Sequence, residues 1–201
     1  MMFDSLYDSA FDFLGSLTPL SAEDFQVETA PEIRPGSIHI IGAAEWIALE
    51  SFSDGTTALL RKNLLERDMI FGENCDWRSS KIREWLNRDF LYTLKLDVGE
   101  ENIVPFSRNL ISMDGLDTFG VCFDSVSLLT MDEYRKYHRL LGLNSEYRTW
   151  WWLCTPFSTE ENGYNRGVCC VNSGGGVYYN VCDGGRGVRP FILLKSSVLT
   201  S

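Results

Sequence analysis

The chain is short of positive charge. Its 201 residues include 18 Lys or Arg against 28 Asp or Glu, which gives a formal net charge of -10. The basic residues form no run anywhere in the sequence. Proteins that bind nucleic acid or an anionic membrane surface need a local concentration of positive charge. The composition therefore argues against both of these classes of function.

Long apolar segments are missing as well. No stretch approaches the roughly 20 apolar residues of a membrane-spanning helix, and the first residues lack the positive charge and apolar run of a secretory signal. We therefore expect no membrane insertion and a protein that is cytoplasmic where it is synthesised, with the virion and the cell surface left open as final locations. In a chain without a signal, the six cysteines are expected to be free thiols.

Metal ligands are scarce too. The two histidines, His39 and His138, lie far apart, and no pair of Cys-x-x-Cys motifs is present. Zinc sites in proteins need Cys and His at defined spacings. The sequence therefore predicts no metal and no cofactor.

The chain does contain enough apolar material for one core. Hydrophobic residues make up 44% of it and aromatic residues 13%, which is too apolar for a disordered chain. The acids are distributed unevenly, because residues 1–33 hold seven of them and no Lys or Arg. We therefore predict an acidic helix and linker over residues 1–36, followed by a single domain over residues 37–201.

The apolar periodicity predicts a mixture of strands and helices. An amphipathic acidic helix is predicted over residues 3–17, and it is expected either to dock on its own domain or to recruit a partner or another subunit. Antiparallel strands are expected over residues 37–60 and a helix over residues 79–91. A second helix begins with a capping box at Thr130, and the run Trp150–Leu153 indicates a buried strand. This order is typical of an α+β fold.

Residues 163–187 are strongly biased in composition. They use only eight residue types, and glycine occurs eight times. No helical pattern follows the glycines, which excludes a phosphate-binding loop. Valines on both sides of Asn172–Gly175 predict a β-hairpin instead. In its second strand, the alternation of side chains places Tyr178 and Tyr179 on opposite faces.

The same segment has the composition of a recognition surface. Tyr supplies a large contact area at a low entropic cost, while Ser, Gly and Asn adapt their hydrogen bonds. The alternative is an ordinary glycine-rich sheet edge. We favour recognition and predict a macromolecular target, either a protein or a surface glycan.

An ordered set of motifs resembles a known family. The motifs, in chain order, are Trp77-x-x-Ser-x-Ile-Arg-x-Trp-Leu-Asn87, Val126-Ser-Leu-Leu-Thr130, Trp151-Trp-Leu-Cys-Thr-Pro156, Val171-Asn-Ser-Gly174 and Gly187-Val-Arg-Pro-Phe191. Together they cover roughly residues 35–195 and are similar to the variable proteins of diversity-generating retroelements, which occur in gut bacteria and their phages.

The resemblance implies a C-type-lectin-like fold with antiparallel strands, two main helices and a variable segment at about residues 153–190. In such proteins a mutagenic reverse-transcription step replaces template adenines, so that AAY codons for Asn become NNY codons. NNY codons cannot encode Lys, Glu, Gln, Met or Trp, and residues 163–187 contain none of these. A non-enzymatic display protein with a hypervariable surface is the implied function.

The resemblance and the composition together assign functional positions. The predicted variable, ligand-binding residues are Tyr164, Asn165, Arg166, Cys169, Asn172, Tyr178, Tyr179, Asn180, Cys182, Asp183 and Arg186. The expected scaffold residues are Trp151, Trp152 and Arg189, with Arg189 as an internal residue that donates hydrogen bonds to loop carbonyls. Lectin-type sugar binding uses a calcium ion, but the only nearby candidate ligands lack the expected local motif, so no calcium is predicted. Those candidates are Glu160, Glu161, Asn162 and Asp183.

Two alternatives come from other functional classes. One is a cysteine-dependent oxidoreductase of the formylglycine-generating-enzyme-like fold, with Cys169 and Cys170 as its active site. Adjacent cysteines in a strand point to opposite sides, however, and neither has a base nearby in sequence to activate it. We therefore predict that the protein is not an enzyme. The other alternative is a structural subunit of a phage or cell-surface assembly that docks through the acidic helix.

Overall fold

A computed structural model describes residues 33–141 and 149–200 of the chain. The described residues belong to a compact unit that begins at Ile33. The predicted acidic helix over residues 3–17 lies outside the described residues.

The described part is built from strands and short helices. The strands are β1 (Ile38–Ile41), β2 (Ala44–Ser51), β3 (Thr56–Arg61), β4 (Glu66–Ile70), β5 (Phe106–Asn109), β6 (Val121–Asp124), β7 (Val126–Ser127), β8 (Trp151–Pro156), β9 (Gly167–Val171), β10 (Val177–Val181), β11 (Gly185–Val188) and β12 (Phe191–Lys195). The α-helices are α1 (Lys81–Trp85), α2 (Leu91–Val98) and α3 (Met131–Tyr137). Short 3-10 turns lie at Trp77–Ser79, Glu100–Asn102, His138–Leu140, Glu160–Asn162 and Ser196–Leu199.

The strands form two five-stranded sheets and a two-stranded ribbon. The first sheet has the order β1-β2-β3-β12-β7, the second has the order β10-β9-β8-β11-β4, and β5 pairs with β6. Among the described strands, the pairing of β11 with β8 is parallel and the others are antiparallel. The predicted mixed α+β fold with mostly antiparallel strands is confirmed, as are the strands over residues 37–60.

The first helix is longer than its apolar pattern predicts. α1 continues through a π-helical turn at Leu86–Phe90 into α2, which ends at Gly99 with a φ of 82°. Ile82 and Leu86 are buried as the pattern requires, but Tyr92 and Leu96 are exposed. Apolar residues on the solvent side conceal the helical periodicity, so the predicted end at residue 91 came too early.

The second helix begins where its sequence predicts. The Thr130 hydroxyl accepts a hydrogen bond from the Glu133 amide at 3.2 Å, and the Thr130 amide donates to Glu133 Oε2 at 2.8 Å. This capping box is confirmed. The other carboxylate oxygen of Glu133 accepts a hydrogen bond from the buried Arg108 at 2.5 Å. The guanidinium carbon of Arg108 in turn lies 4.4 Å from the centre of the Phe191 ring.

The tryptophan-rich strand β8 lies at the centre of the domain. All of its residues are buried, so the predicted buried strand is confirmed. Trp152 packs in one hydrophobic cluster with Phe71, and Trp151 packs in the other with Tyr134. The Trp152 indole also donates a hydrogen bond to the Met69 carbonyl at 2.8 Å. Because side chains pack on both faces of β8, its position is well fixed, and it pairs directly with β9.

A buried carboxylate joins the first helix to the strand β6. Asp124 accepts hydrogen bonds from Trp77 Nε1 at 2.7 Å and from Arg83 Nε at 2.6 Å. One turn further along, the side-chain oxygen of Asn87 accepts from the amides of Ser125 and Val126, both at 3.1 Å. Trp77, Arg83 and Asn87 of the sequence motif therefore all bind one short segment, residues 124–126.

The Asp124 carboxylate can be removed without a change of shape. Asp124→Asn leaves Arg83 facing a neutral group, and since Arg83 is partly exposed we expect a loss of about 2 kcal/mol in the free energy of unfolding, less than the roughly 3–5 kcal/mol of a fully buried pair that loses one partner. Urea denaturation measures it. The matched control Asp132→Asn breaks a surface pair with Arg135 and should change stability by less than about 0.5 kcal/mol. Equal midpoints for Asp124→Asn and the wild type would contradict this role.

Candidate functional site

The biased segment forms the predicted hairpin at one edge of the second sheet. β9 and β10 pair antiparallel, with Val177 opposite Val171. Asn172 holds the turn, because its side-chain oxygen accepts hydrogen bonds from the amides of Gly174 at 2.9 Å and Gly176 at 2.8 Å. Asn172 is thus engaged inside the turn, although the sequence places it among the ligand-binding residues.

Tyr178 and Tyr179 lie on opposite faces of β10, as the alternation predicts. Tyr178 is 53% exposed and Tyr179 is 48% exposed. The Tyr178 ring lies 5.2 Å from that of Trp150. The Tyr179 ring stacks on Phe157 at 3.8 Å and meets the edge of Tyr164 at 6.1 Å. About half of each tyrosine is therefore exposed to solvent, while another aromatic ring packs against it.

A glycine makes the second aromatic cluster possible. Gly167, at the start of β9, lies directly under the rings of Tyr164 and Tyr179. A Cβ atom at this position would come within 2.5 Å of the Tyr164 ring and 3.0 Å of Phe157 Cβ. Any larger residue would have to displace this packing, so the glycine supports the surface without contributing a side chain.

The charged residues of the segment largely neutralise one another. Arg166 and Asp183 are exposed and form an ion pair. The guanidinium carbon of Arg186 lies 5.5 Å from the centre of the Trp150 ring, beside Tyr178. The exposed Asn165 is fixed through its carbonyl, which accepts a hydrogen bond from the Cys75 amide at 2.8 Å. The surface is accordingly nearly neutral and rich in tyrosine.

The outer edge of β10 carries backbone groups that face away from the sheet. The amides of Asn172 and Cys182 donate to the carbonyls of Gly176 and Arg166, and both bonds are 2.8 Å long. In an antiparallel ladder, bonded and non-bonded pairs alternate, so the N–H and C=O groups of Val177 and Tyr179 point outward. Within residues 33–141 and 149–200, no strand pairs with this edge.

At Val181, the last residue of β10, the backbone groups on that edge already have hydrogen-bond partners. The amide of Val181 donates to the side chain of Asn180 at 2.8 Å, and the Val181 carbonyl accepts from the Gly184 amide at 2.9 Å. Asn180 is half-buried, and its side-chain oxygen is occupied by this bond from the Val181 amide. The open backbone positions are limited to two alternate residues, Val177 and Tyr179.

Two of the predicted ligand-binding residues lie in the interior instead. Cys169 and Cys182 are completely buried, each in a different hydrophobic cluster. Neither side chain can touch a target on this surface, so the prediction for these two residues is wrong. Cys169 is buried because β9 is covered on both faces, and Cys182, just after β10, is buried in the cluster that contains Phe71 and Cys75. The composition of the segment does not reveal either environment.

The expected scaffold residues lie inside the domain. Trp151, Trp152 and Arg189 are buried. Arg189 Nε donates a hydrogen bond to the Arg61 carbonyl at 3.0 Å, and its guanidinium carbon lies 5.0 Å from the centre of the Trp151 ring. Arg189, between β11 and β12, thereby contacts β3 of the first sheet through Arg61 and β8 of the second sheet through Trp151.

The thiols around the hairpin are held in their protonated form. Burial raises the pKa of Cys169 to about 12 and that of Cys170 to about 11. Burial likewise raises the pKa of Cys75 and of Cys154 to about 12. Catalytic cysteines need the opposite environment, one that stabilises the thiolate.

Three of the four residues considered for calcium have other side-chain contacts. Asn162 donates to Asp114 at 2.9 Å, Glu161 accepts from the Thr118 hydroxyl at 2.6 Å, and Asp183 pairs with Arg166. In the part of the chain that the structure describes, no group of three or more His, Cys, Asp or Glu side chains could hold a metal ion. No helix there is long and apolar enough to cross a membrane.

The raised pKa values predict slow thiol chemistry. An ordinary thiol becomes largely thiolate as the pH rises from 7 to 9, whereas Cys169 and Cys170 should stay protonated because their pKa values lie above that interval. Labelling with iodoacetamide, followed by mass spectrometry, should modify the half-buried Cys122 first. All six thiols should react once urea unfolds the chain. Rapid labelling of native Cys170 at pH 8 would contradict the described burial.

Comparison with family models matches residues 54–196 to the family described as Domain of unknown function (DUF6273). The matched range runs from the turn before β3 to the end of β12 and includes the hairpin. No curated protein and no solved structure matches the chain.

Proposed function

The chain belongs to the DUF6273 family, and we propose that it is a binding protein that recognises a protein target through the outer surface of the β9–β10 hairpin. We propose no catalysed reaction, because this surface would act by binding alone. The observation that carries this proposal is the pair of half-exposed tyrosines on opposite faces of β10, each supported by another ring.

Supported tyrosines suit a binding surface for energetic reasons. A ring that is already held in place loses little conformational freedom when a target covers it. Each half-exposed ring still offers apolar area and a hydroxyl for hydrogen bonding. Tyrosines of this kind are enriched among the residues that dominate binding free energy.

A protein target is favoured over a glycan by the backbone of β10. Val177 and Tyr179 present outward N–H and C=O groups, and an extended peptide can add to such an edge as a further strand. β10 also lacks the Lys and Pro residues that commonly protect an edge strand against pairing. The nearly neutral charge of the surface does not require a charged partner.

We further propose that the domain is a C-type-lectin-like display scaffold of the type found in variable proteins of diversity-generating retroelements. Support comes from the division of the segment into buried and exposed positions. The buried strand β9 packs against β8, whereas the exposed residues project from β10, the neighbouring loops and the start of β11, where substitutions disturb less packing. The exposed or half-exposed candidates are Tyr164, Asn165, Arg166, Tyr178, Tyr179, Asp183 and Arg186.

Removal of the two tyrosine rings tests the binding surface. In selection from a random-peptide phage library, the wild-type chain should enrich binding peptides and the Tyr178→Ala/Tyr179→Ala variant should not. Truncating a single dominant tyrosine costs at least about 2 kcal/mol, or about 30-fold in affinity. Tyr92→Ala removes a tyrosine ring that is even more exposed, at 67%, from α2 and should leave enrichment unchanged.

Thermal unfolding of the same variants separates binding from folding. The double variant should melt close to the wild type, because both rings are half-exposed. Equal enrichment by the double variant and the wild type would rule out this surface as the binding site.

The genetic setting tests the proposed diversification. DNA beside the gene should contain a near-copy of the codons for residues 153–190 that differs only at adenines, next to a reverse transcriptase gene. Sequencing of the flanking DNA decides this. A flank without such a copy would contradict diversification but leave the binding surface to be judged by the tyrosine variants.

A further inference from the structure

The open part of the β10 edge is short. Among the described residues, none bonds to the outward backbone groups of Val177 and Tyr179. At one end of this stretch, the N–H and C=O of Val181 have local partners. At the other end, the Gly175 carbonyl accepts a hydrogen bond from the Tyr134 hydroxyl at 2.6 Å. The open edge therefore consists of two alternate residues and the one between them.

The two tyrosine rings leave this edge accessible. The Tyr178 ring lies 5.2 Å from that of Trp150, which directly precedes β8, and the Tyr179 ring stacks at 3.8 Å on Phe157, which directly follows β8. β8 lies inward of β10, with β9 between them. The rings therefore lean back over the sheet, and a further strand can approach β10 to the usual spacing of about 4.8 Å.

The open groups identify the chemistry of the occupant as a polypeptide. Val177 and Tyr179 each present one donor and one acceptor, and equivalent groups of alternate residues repeat roughly every 7 Å along a strand. An extended peptide carries N–H and C=O groups at the same repeat. The residues of β10 are all uncharged, so a charged side chain of the peptide would find no partner in this strand.

The short open stretch favours antiparallel addition. In an antiparallel pair, two residues that lie opposite each other exchange both of their hydrogen bonds. Three consecutive peptide residues can then make four bonds, because the two outer residues lie opposite Val177 and Tyr179. In a parallel pair the bonds are slanted, so that a longer peptide segment is needed to reach the same four groups.

The side chains of such a peptide meet both faces of the hairpin. The central residue projects to the face of Tyr178, and the two outer residues project to the face of Val177 and Tyr179. Each face offers a half-exposed tyrosine ring. Cross-strand pairs of aromatic and β-branched residues stabilise antiparallel sheets, whereas proline at an outer position would lack the N–H that the edge requires.

We propose that the target presents an extended, proline-free segment of three uncharged residues, aromatic or β-branched, which adds to β10 as an antiparallel strand. The outer two residues exchange hydrogen bonds with Val177 and Tyr179, and the central residue packs on Tyr178. This inference rests on the proposed function and specifies the form in which the protein target is bound.

Methylation of the peptide backbone tests these bonds. The probe is a synthetic copy of the peptide that the wild-type chain enriches most strongly from a random-peptide phage library. Its backbone nitrogens are methylated one at a time, and affinity for the full-length protein is measured by fluorescence anisotropy. Methylation of either outer residue should weaken binding at least about tenfold, because it removes a hydrogen bond. The N–H of the central residue points away from β10, so its methylation should change affinity by less than about threefold.

A proline substitution tests the same bonds from the side of the protein. Val177→Pro removes an outward N–H at a sheet edge, where proline is tolerated, and affinity should fall at least about tenfold. The control Ile38→Pro removes an outward N–H from β1, the edge strand of the first sheet, and should leave affinity unchanged. Circular dichroism establishes that each variant is folded, and the methylated peptides give an answer that does not depend on it.

The outcomes separate strand addition from the proposed function. Weakening at alternate peptide nitrogens, together with weakening in Val177→Pro, supports strand addition. Peptides that require Tyr178 and Tyr179 but show no alternation would overturn strand addition alone and leave the binding surface in place. A library that yields no binding peptide would contradict both. A wild-type dimer in sedimentation velocity that Val177→Pro dissociates would assign the edge to a second copy of the chain and likewise overturn the proposal.

Discussion

The buried carboxylate of Asp124 is the contact on which the arrangement of the domain depends. It fixes the indole of Trp77 and the guanidinium of Arg83, and therefore the start of the long helix. The Trp77 ring packs on Phe71 at 5.8 Å, and Phe71 packs on Trp152 at 5.7 Å. One chain of contacts thus runs from the acid to the central strand that supports the hairpin. A desolvated charge of this kind is tolerable only because each carboxylate oxygen receives a donor.

Features with a local cause could be predicted from the sequence. The capping box at Thr130 depends on residues three positions apart, and the hairpin turn depends on Asn172 and its glycines, so a short window contains the whole signal. The run of tryptophans before Leu153 predicted a buried strand because no solvated loop would carry so much apolar area. The opposite orientation of Tyr178 and Tyr179 followed from the two-residue repeat of a strand.

Features that depend on distant partners could not be predicted in this way. The insertion of β12 between β3 and β7 brings together segments far apart in the chain, and no local pattern encodes it. The burial of Cys169 and Cys182 follows from the cover that neighbouring strands and loops provide, which composition does not record. The length of the helix was missed because Tyr92 and Leu96 face solvent.

Two of the rings that support the tyrosines come from outside the biased segment, whereas a third, Tyr164, lies within it. Trp150 and Phe157 precede residue 163, whereas Tyr178 and Tyr179 lie within it. Part of the support for the two tyrosines is therefore encoded before residue 163, apart from the tyrosines themselves. A codon change at 178 or 179 alters what is presented and leaves Trp150 and Phe157 in place. The exposed side chains and the two rings beneath them are thus modular, since either set can change while the other keeps its residues.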